Sequence, residues 1–309
     1  MTVAVVFPGQ GSQQTGAGKV WEHEPAWALV ERAEGLLERP LAPLLLDASA
    51  DDLRATAASQ LSVLLASLLA WATVAPVLGE LPVAMAGHSL GQVTALLASG
   101  AVTESDGLRF AAARGDATQR AAEKHPGGMA ALLGASEAQA ADACTAAPDA
   151  CWVANLNAPG QIVIAGTSEG VDAGSERATS VGVKRVRRLE VGGAFHTPLM
   201  ASAAAELTTA LEATRFSEPS VPLVTNHDAA AHAEGQGWPD RLTTHLVSPV
   251  RWADCVTTMV GLGVDRFVEI GPGNALSGLI RRIAPAVATA NVAGPADVEA
   301  LAGLVGATR

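Results

Sequence analysis

The sequence has little cysteine and little positive charge, and each shortage excludes a class of protein. Its 309 residues include three cysteines, Cys144, Cys151 and Cys255. This odd number at irregular spacing predicts neither a disulfide framework nor a cysteine metal site, and it suits a reducing compartment. Twenty Lys and Arg against 31 Asp and Glu give a net charge of −11, which argues against a general nucleic-acid-binding role. We therefore expect a cytoplasmic protein that needs no metal and binds no nucleic acid.

We also expect no signal peptide, and the sequence has no uninterrupted hydrophobic run of membrane-spanning length. No basic segment precedes the first apolar residues, as a signal peptide would require. Residues 61–78 are uncharged and approach the ~20 apolar residues of a membrane span, but Ser62, Ser67, Thr73 and Pro76 interrupt them. We expect a helix buried on most sides in a large α/β core, and no membrane association.

Residues 87–91 read GHSLG, a G-x-S-x-G pentapeptide between a strand-like and a helix-like segment. In a strand–turn–helix setting the serine becomes a nucleophile, because small flanking residues allow a strained turn. Free N–H groups at the start of the helix can hold an oxyanion. We therefore interpret Ser89 as a nucleophile and the Leu90 N–H as an oxyanion donor. The alternative is an ordinary strand-to-helix turn in which Ser89 only caps the helix.

A serine nucleophile needs a base, and His196 is the candidate among the seven histidines. It follows a run of small residues, 192–194, and Phe195, and it precedes Thr197 and Pro198, the expected start of a helix. A packed core histidine is the alternative on this evidence. His88 adjoins Ser89 within the turn, and we expect its side chain to point away from the serine hydroxyl.

Between Ser89 and His196 the pattern changes to short alternating elements. The order is β-α-β-β-α-β, ending in a strand over residues 183–191, which is typical of a ferredoxin-like unit. We predict that residues 126–196 form this small subdomain. It is inserted into an α/β-hydrolase-like catalytic subdomain of residues 1–125 and 197–309, a parallel sheet with helices on both faces. The active site should lie in the cleft between the two subdomains.

Several short blocks follow one another along nearly the whole chain. They read FPGQGSQ (7–13), AGHSLG (86–91), RG (114–115), NLNAPGQIVIAG (155–166), GAFHT (193–197), PVRW (249–252) and EIGPG (269–273). In this order they resemble the malonyl-CoA:acyl carrier protein transacylases of fatty acid synthesis and the acyltransferase domains of polyketide synthases. The resemblance implies an S-malonyltransferase. It would move a malonyl group from malonyl-CoA to the phosphopantetheine thiol of acyl carrier protein through a malonyl-serine intermediate, without a cofactor.

The resemblance also implies roles for residues that local patterns leave open. Arg114 would hold the malonyl carboxylate in two parallel hydrogen bonds; without the resemblance a surface arginine is the simpler interpretation. The Gln10 N–H would be the second oxyanion donor. The base histidine of the family is oriented by a backbone carbonyl four residues before the proline of the PVRW block. Here that carbonyl belongs to His245.

The remaining signals concern acyl choice and departures from the family pattern. Phe195, in the AFH block, resembles malonyl-type enzymes, because its large ring would crowd an α-substituent. Gln92, Thr118 and His245 stand where the family commonly has other residues. Since a backbone carbonyl does not depend on its side chain, we expect the orienting bond from His245 to survive.

An acidic carrier partner requires a local basic patch on this acidic chain. The candidate clusters are Lys184, Arg185, Arg187 and Arg188, and Arg281 and Arg282; a solvated strand edge is the alternative. Two other activities remain open: an acyl hydrolase or thioesterase on the same scaffold, and an acyltransferase for a different polyketide extender unit. Arg114 argues against the hydrolase, since editing hydrolases of the family tend to lose that arginine.

Overall fold

The computed structural model describes residues 1–79 and 82–306, the last four of these by their backbone only. Within this part of the chain, ten strands and twelve α-helices form. The strands are β1 (Val3–Phe7), β2 (Pro82–Gly87), β3 (Gly128–Leu133), β4 (Cys151–Ala158), β5 (Gln161–Gly166), β6 (Arg185–Arg188), β7 (Leu223–Val224), β8 (Ala231–His232), β9 (Arg266–Ile270) and β10 (Ala288–Val292). The helices are α1 (Ala28–Leu37), α2 (Ala42–Leu46), α3 (Thr56–Leu78), α4 (Gly91–Ala98), α5 (Glu104–Lys124), α6 (Glu137–Cys144), α7 (Ser168–Ser180), α8 (Ala201–Ala213), α9 (Trp238–Val247), α10 (Trp252–Gly261), α11 (Ala275–Ile283) and α12 (Pro295–Gly306).

The larger of two sheets has the strand order β10-β9-β1-β2-β7-β8. Its first five strands run parallel, and β8 pairs antiparallel with β7. Side chains alternate along β1, so that Val3, Val5 and Phe7 pack into one hydrophobic cluster and Ala4 and Val6 into another. Both faces of the sheet are therefore covered by apolar groups, as parallel sheets require.

Helix α3 contains the uncharged segment and belongs to the first of these clusters. It is the one helix of the described residues that is long and apolar enough to cross a membrane, and 67% of its most apolar window is buried inside the fold. Gly79 ends the helix with a φ of 56°, a left-handed conformation that favours glycine. This burial agrees with the expectation of a core helix.

The smaller sheet is built from consecutive elements in the order β3-α6-β4-β5-α7-β6, and its strands lie side by side as β4-β5-β3-β6, all antiparallel. One face packs against apolar side chains of α6 and α7. The other face, with Met129 and Val163, packs on Ala194 and Phe195 of the returning chain. A parallel sheet and a second, antiparallel sheet confirm the expected mixed α/β class.

Strand β6 is shorter than predicted, and the chain after it departs from the sheet. Leu189 still donates its N–H to the Met129 carbonyl at 2.9 Å. Beyond it, Gly192 and Gly193 turn the chain toward the larger sheet, so the predicted strand up to residue 191 is wrong at its end. This turn places His196 against the other half of the molecule.

The PVRW block joins the two sheets. Val250 forms a parallel bridge with Asn155 of β4, and its carbonyl accepts the Leu156 N–H at 2.8 Å. The next residue, Arg251, donates its N–H to the Asn226 carbonyl just after β7, at 2.9 Å. The block thus fixes β4 over the carboxyl end of the larger sheet.

Candidate active site

Ser89 lies in a sharp turn between the carboxyl end of β2 and helix α4. Its φ is 53°, a left-handed conformation that costs a non-glycine residue ~1–2 kcal/mol. A Cβ atom on Gly87 would lie 1.9 Å from the Gly91 carbonyl carbon, and one on Gly91 would lie 2.1 Å from the Phe7 carbonyl oxygen. Since real Cβ atoms never approach so closely, only glycine at both positions permits this turn.

Asn226 supports the same turn from the neighbouring strand. Its Oδ1 accepts the Ser89 N–H at 2.7 Å, and its Nδ2 donates to the Gly87 carbonyl at 2.9 Å. The N–H of Asn226 in turn donates to Gln92 Oε1 at 3.0 Å. Gln92, a departure from the family pattern, therefore has a structural role: it holds the residue that holds the turn. No sequence motif marks Asn226, although a polar residue just after a parallel strand is a usable signal.

His196 lies within hydrogen-bond distance of Ser89, on a chain segment that comes from the smaller sheet. The distance from Ser89 Oγ to His196 Nε2 is 2.8 Å, and His196 Nδ1 is 3.0 Å from the His245 carbonyl oxygen. Because a carbonyl oxygen only accepts, Nδ1 holds the proton and the lone pair of Nε2 faces the serine hydroxyl. This arrangement suits proton abstraction from Ser89.

Burial keeps His196 neutral. Removal from water, and secondarily the positive charge of Arg114, lowers the His196 pKa to about 3, against the raising effect of the hydrogen bond to the His245 carbonyl. The His245 ring lies 5.0 Å from the His196 ring, centroid to centroid. Burial, and then the neighbouring His196, also hold the His245 pKa well below its usual value. Both imidazoles are therefore neutral at pH 7, each with one ring N–H.

Arg114 presents a buried positive charge beside the serine. It is 5% exposed, its Nη2 donates to Ser89 Oγ at 3.2 Å, and its Nη1 donates to Gln60 Oε1 at 2.5 Å. Burial lowers the Arg114 pKa to about 10, so the group remains charged at neutral pH. No carboxylate of the described residues lies within ion-pair distance of it. A buried cation without a counter-ion is poised to take an anion.

Gln60 and Thr118 orient this guanidinium. Thr118 Oγ1 accepts from Gln60 Nε2 at 3.0 Å and donates to the Arg114 carbonyl at 2.7 Å. Thr118, another departure from the family pattern, thus ties helix α5 to α3. No sequence motif predicts a role for Gln60; its one local signal is an amide directly before the long apolar run.

Two backbone N–H groups near the serine have no acceptor among the described residues. They belong to Gln10 and Leu90, whereas the Ser89 N–H is taken by Asn226. The Gln10 loop lies close to the Ser89 turn, because a Cβ on Gly9 would lie 2.2 Å from the His88 carbonyl oxygen. Of the two residues, Gln10 also lines the cleft beside Ser89.

One cleft of about 510 Å³ brings the candidate residues together. Gln10, Ser89, Arg114, Phe195 and His196 all line it, whereas Leu90 and His245 do not.

The His88 side chain forms its hydrogen bond with Asn157 and not with Ser89, as expected. Its Nε2 lies 2.8 Å from Asn157 Oδ1.

The two basic clusters, at residues 184–188 and 281–282, lie outside the cleft. Of the described residues that line it, none belongs to the 184–188 cluster or to Arg281 and Arg282. Arg188 pairs with Asp172, and Arg282 donates to the Pro159 carbonyl at 2.7 Å. A carrier contact by these residues would therefore be made outside the cleft.

Comparisons with known proteins agree with the block pattern. The family described as "Acyl transferase domain" matches residues 4–303. The chain is 38% identical to a malonyl CoA-acyl carrier protein transacylase of Bacillus subtilis (strain 168), over 96% of this chain and 95% of the relative. It is 36% identical to the Escherichia coli (strain K12) protein of the same name, over 91% of this chain and 92% of the relative.

Solved structures give the same result. An acyl carrier protein S-malonyltransferase from Vibrio cholerae matches with a TM-score of 0.92 at 33% identity, covering 97% of this chain and 100% of that one. A malonyl-transacylase in complex with a type II PKS acyl-carrier protein matches with a TM-score of 0.94 at 31% identity, covering 98% of this chain and 100% of that one.

Proposed function

Since the chain belongs to the acyl transferase domain family, and within it to the malonyl-CoA-acyl carrier protein transacylases, we propose that it transfers malonyl groups from malonyl-CoA to an acyl carrier protein. The observation that carries this proposal is the buried Arg114 guanidinium, 3.2 Å from the serine hydroxyl and without a carboxylate partner in the described part of the chain. An acyl group with a second carboxylate supplies the missing anion. An acetyl group leaves the charge unpaired.

In the first half-reaction, His196 Nε2 takes the proton of the Ser89 hydroxyl as Oγ attacks the thioester carbonyl. The resulting oxyanion accepts hydrogen bonds from the N–H groups of Gln10 and Leu90. The carbon–sulfur bond then breaks, the CoA thiolate takes the proton back from His196, and a malonyl-serine ester remains. Arg114 holds the free carboxylate throughout, and Phe195 limits the room beside the α-carbon.

In the second half-reaction, the phosphopantetheine thiol of the carrier replaces CoA in the cleft. His196 takes the thiol proton, the sulfur attacks the ester carbonyl, and the same two N–H groups hold the oxyanion. The carbon–oxygen bond breaks, Ser89 Oγ recovers the proton, and malonyl-carrier leaves. The His245 carbonyl keeps the base in one tautomer in both directions.

The same proposal includes the subdomain arrangement and the compartment. Residues 126–196 form a ferredoxin-like subdomain, which the β-α-β-β-α-β order and the antiparallel strand order β4-β5-β3-β6 support. Residues 1–125 and 197–309 form an α/β-hydrolase-like subdomain, supported by the mostly parallel sheet with the serine after β2. Cys144, Cys151 and Cys255 are free thiols, which suits the cytoplasm.

Intact-mass measurement tests the proposal directly. The protein is exposed briefly to malonyl-CoA, methylmalonyl-CoA or acetyl-CoA, and then to the holo form of an acyl carrier protein. We expect a malonyl adduct that disappears as malonyl-carrier forms, and little adduct from acetyl-CoA. Release of malonate without malonyl-carrier would identify a hydrolase instead, and a dominant methylmalonyl adduct would identify a different extender unit.

A further inference from the structure

The cleft has a second permanent cation, at its mouth. Among the described residues that line the cleft, the arginines are Arg114 and Arg54, and there is no lysine. Arg114 is 5% exposed, whereas the Arg54 side chain is 65% exposed. The two guanidinium groups therefore mark opposite ends of one cleft, its buried floor and its open mouth.

Arg54 faces a carboxylate of the opposite wall. Its Nη2 lies 3.8 Å from Glu190 Oε2. Arg54 ends a short 3-10 helix before α3, and Glu190 lies in the segment that follows β6. The pair consequently spans the opening between the larger and the smaller sheet, and Glu190 is the acidic residue of the described cleft lining.

This contact is easily displaced. The Glu190 side chain is 89% exposed, and Asp51, the other partner of Arg54, is 83% exposed at 3.3 Å. Exposed ion pairs of this kind contribute little to stability because water screens them and both side chains must be ordered. A ligand with more or better placed acceptor oxygens can take Arg54 from both carboxylates.

Under the proposed function, on which this inference rests, the malonyl donor is an extended chain with an anion at both ends. Malonyl groups end in a carboxylate, and the pantetheine arm ends in a phosphate, in CoA and in the carrier alike. We propose that Arg54 binds the 4′-phosphate of the pantetheine arm and that the phosphate displaces Glu190. Arg114 and Arg54 then hold the two ends of the same ligand, which sets the thioester carbonyl beside Ser89.

Phosphate is the chemistry that fits Arg54, since its oxygens accept two parallel hydrogen bonds from one guanidinium. The position needs a cation because the chain has a net charge of −11 and Glu190 itself repels an incoming phosphate. Glu190 is thus a competitor: it occupies Arg54 while the cleft is empty and raises the concentration of phosphate needed to fill it.

A pair of substrates that differ only in the phosphate isolates this contact. Malonyl-4′-phosphopantetheine and malonyl-pantetheine are compared as donors, and the readout is the ratio of their kcat/KM values for acylation of the protein. Arg54→Gln should lower this ratio about three- to ten-fold, and Glu190→Gln should raise it. Arg109→Gln is the matched control, because Arg109 is an exposed arginine on α5 outside the cleft.

An unchanged ratio in Arg54→Gln overturns the proposal, and so does an equal fall in Arg109→Gln, which would reflect the overall charge. The corresponding ratio for the acceptor is measured from the rates at which 4′-phosphopantetheine and pantetheine remove the malonyl group from Ser89. A fall in the donor ratio alone assigns the site to CoA, and a fall in both assigns it to CoA and carrier. Failure of the transferase function is distinguishable, because the wild-type protein would then form no malonyl adduct from either donor.

Discussion

The turn that holds Ser89 depends on glycines beside it in the chain, with support from Asn226, whereas His196 is oriented by residues distant from it in the sequence. Gly87 and Gly91 permit the serine turn, because a Cβ atom added at either position would overlap backbone atoms. His196, also at a positive φ of 61°, is oriented by a carbonyl 49 residues away. The conformation of the candidate nucleophile is therefore encoded largely by the local sequence, and that of the candidate base by the assembly of both halves of the fold. Substitutions around Ser89 and substitutions around His196 should therefore impair the reaction in different ways.

Ser89→Ala should have the largest effect, because it removes the reacting atom and leaves the turn intact. We expect no malonyl adduct and a loss of transfer of at least about 10³-fold. Intact mass and transfer to holo-carrier measure both. Ser99→Ala is the matched control, since Ser99 is a buried serine at the end of α4 whose hydroxyl donates only to the Leu96 carbonyl. A malonyl ester on the Ser89→Ala protein would show that another residue is the nucleophile.

His196→Ala should slow both half-reactions by about 10²- to 10⁴-fold, since proton transfer from Ser89 and from the incoming thiol is lost. Rapid-mixing measurements of acylation and of release to carrier separate the two steps. Wild-type rates at neutral pH in a folded variant would place the base elsewhere.

The wild-type pH profile tests the same residue without a substitution. With a His196 pKa of about 3, the base stays unprotonated as the pH falls, so acylation should remain nearly level from about pH 8 to about pH 5 rather than decline near ~6.5. In the unfolded chain His196 takes up a proton near pH ~6.5, whereas in the folded protein it does not. The free energy of unfolding should therefore fall as the pH drops below that value. An acylation rate that falls to half its maximum near pH ~6.5 would contradict a buried, neutral base.

Arg114→Ala should change which acyl group is used. Losing a charge-assisted pair in a partly dry cleft costs ~2–5 kcal/mol, so kcat/KM for malonyl-CoA should fall by about 30- to 5,000-fold. Acetyl transfer should hold or rise, because the unpaired charge is gone. Arg114→Lys is the matched variant: it keeps the charge but not the two parallel hydrogen bonds, and should fall between. Equal losses for both acyl-CoAs would make Arg114 a structural residue.

Asn226→Ala should weaken the serine side without removing a reacting group. It leaves the Ser89 N–H and the Gly87 carbonyl without their partner. We therefore expect acylation to be about tenfold slower and the free energy of unfolding to fall by about 1–3 kcal/mol. Asn291→Ala is the control, because its amide also donates to backbone carbonyls, those of Glu269 and Gly273. Equal slowing by both variants would assign the effect to general stability.

The sequence predicts those parts of the molecule that local patterns encode. The strand, turn and helix around Ser89 follow from glycine spacing and an apolar run, and the four strands of the smaller sheet from short alternating segments. The burial of Arg114 does not, since helix α5 is rich in charged residues. Beside it, Gly115 allows a close helix contact, since a Cβ there would lie 3.1 Å from the Ala57 Cα. Helix α3 packs closely here, and its Gln60 bonds to the guanidinium.

The supporting network of the site is invisible to local patterns because it joins distant residues. Gln60 and Arg114 are 54 positions apart, and Asn226 and Ser89 are 137 apart. No periodicity or spacing rule links such pairs; the packing of α3 on α5 and of β7 beside β2 creates them. The same reason explains why local patterns leave the role of His196 open without the family resemblance, whereas the pentapeptide itself predicts Ser89.

His245→Gln should have the smallest effect of the series, and it tests the histidine side of the comparison most finely. The bond to His196 Nδ1 comes from the backbone carbonyl of His245, which the substitution retains, so acylation should stay within about threefold of wild type. The ring itself has a buried Nε2 without a partner among the described residues, so its loss should not lower the midpoint of urea unfolding. His125→Gln, on an exposed histidine after α5, is the control for loss of an imidazole. A loss beyond tenfold, with the unfolding midpoint unchanged, would mean that the His245 ring acts on His196 directly and that the carbonyl alone does not orient the base.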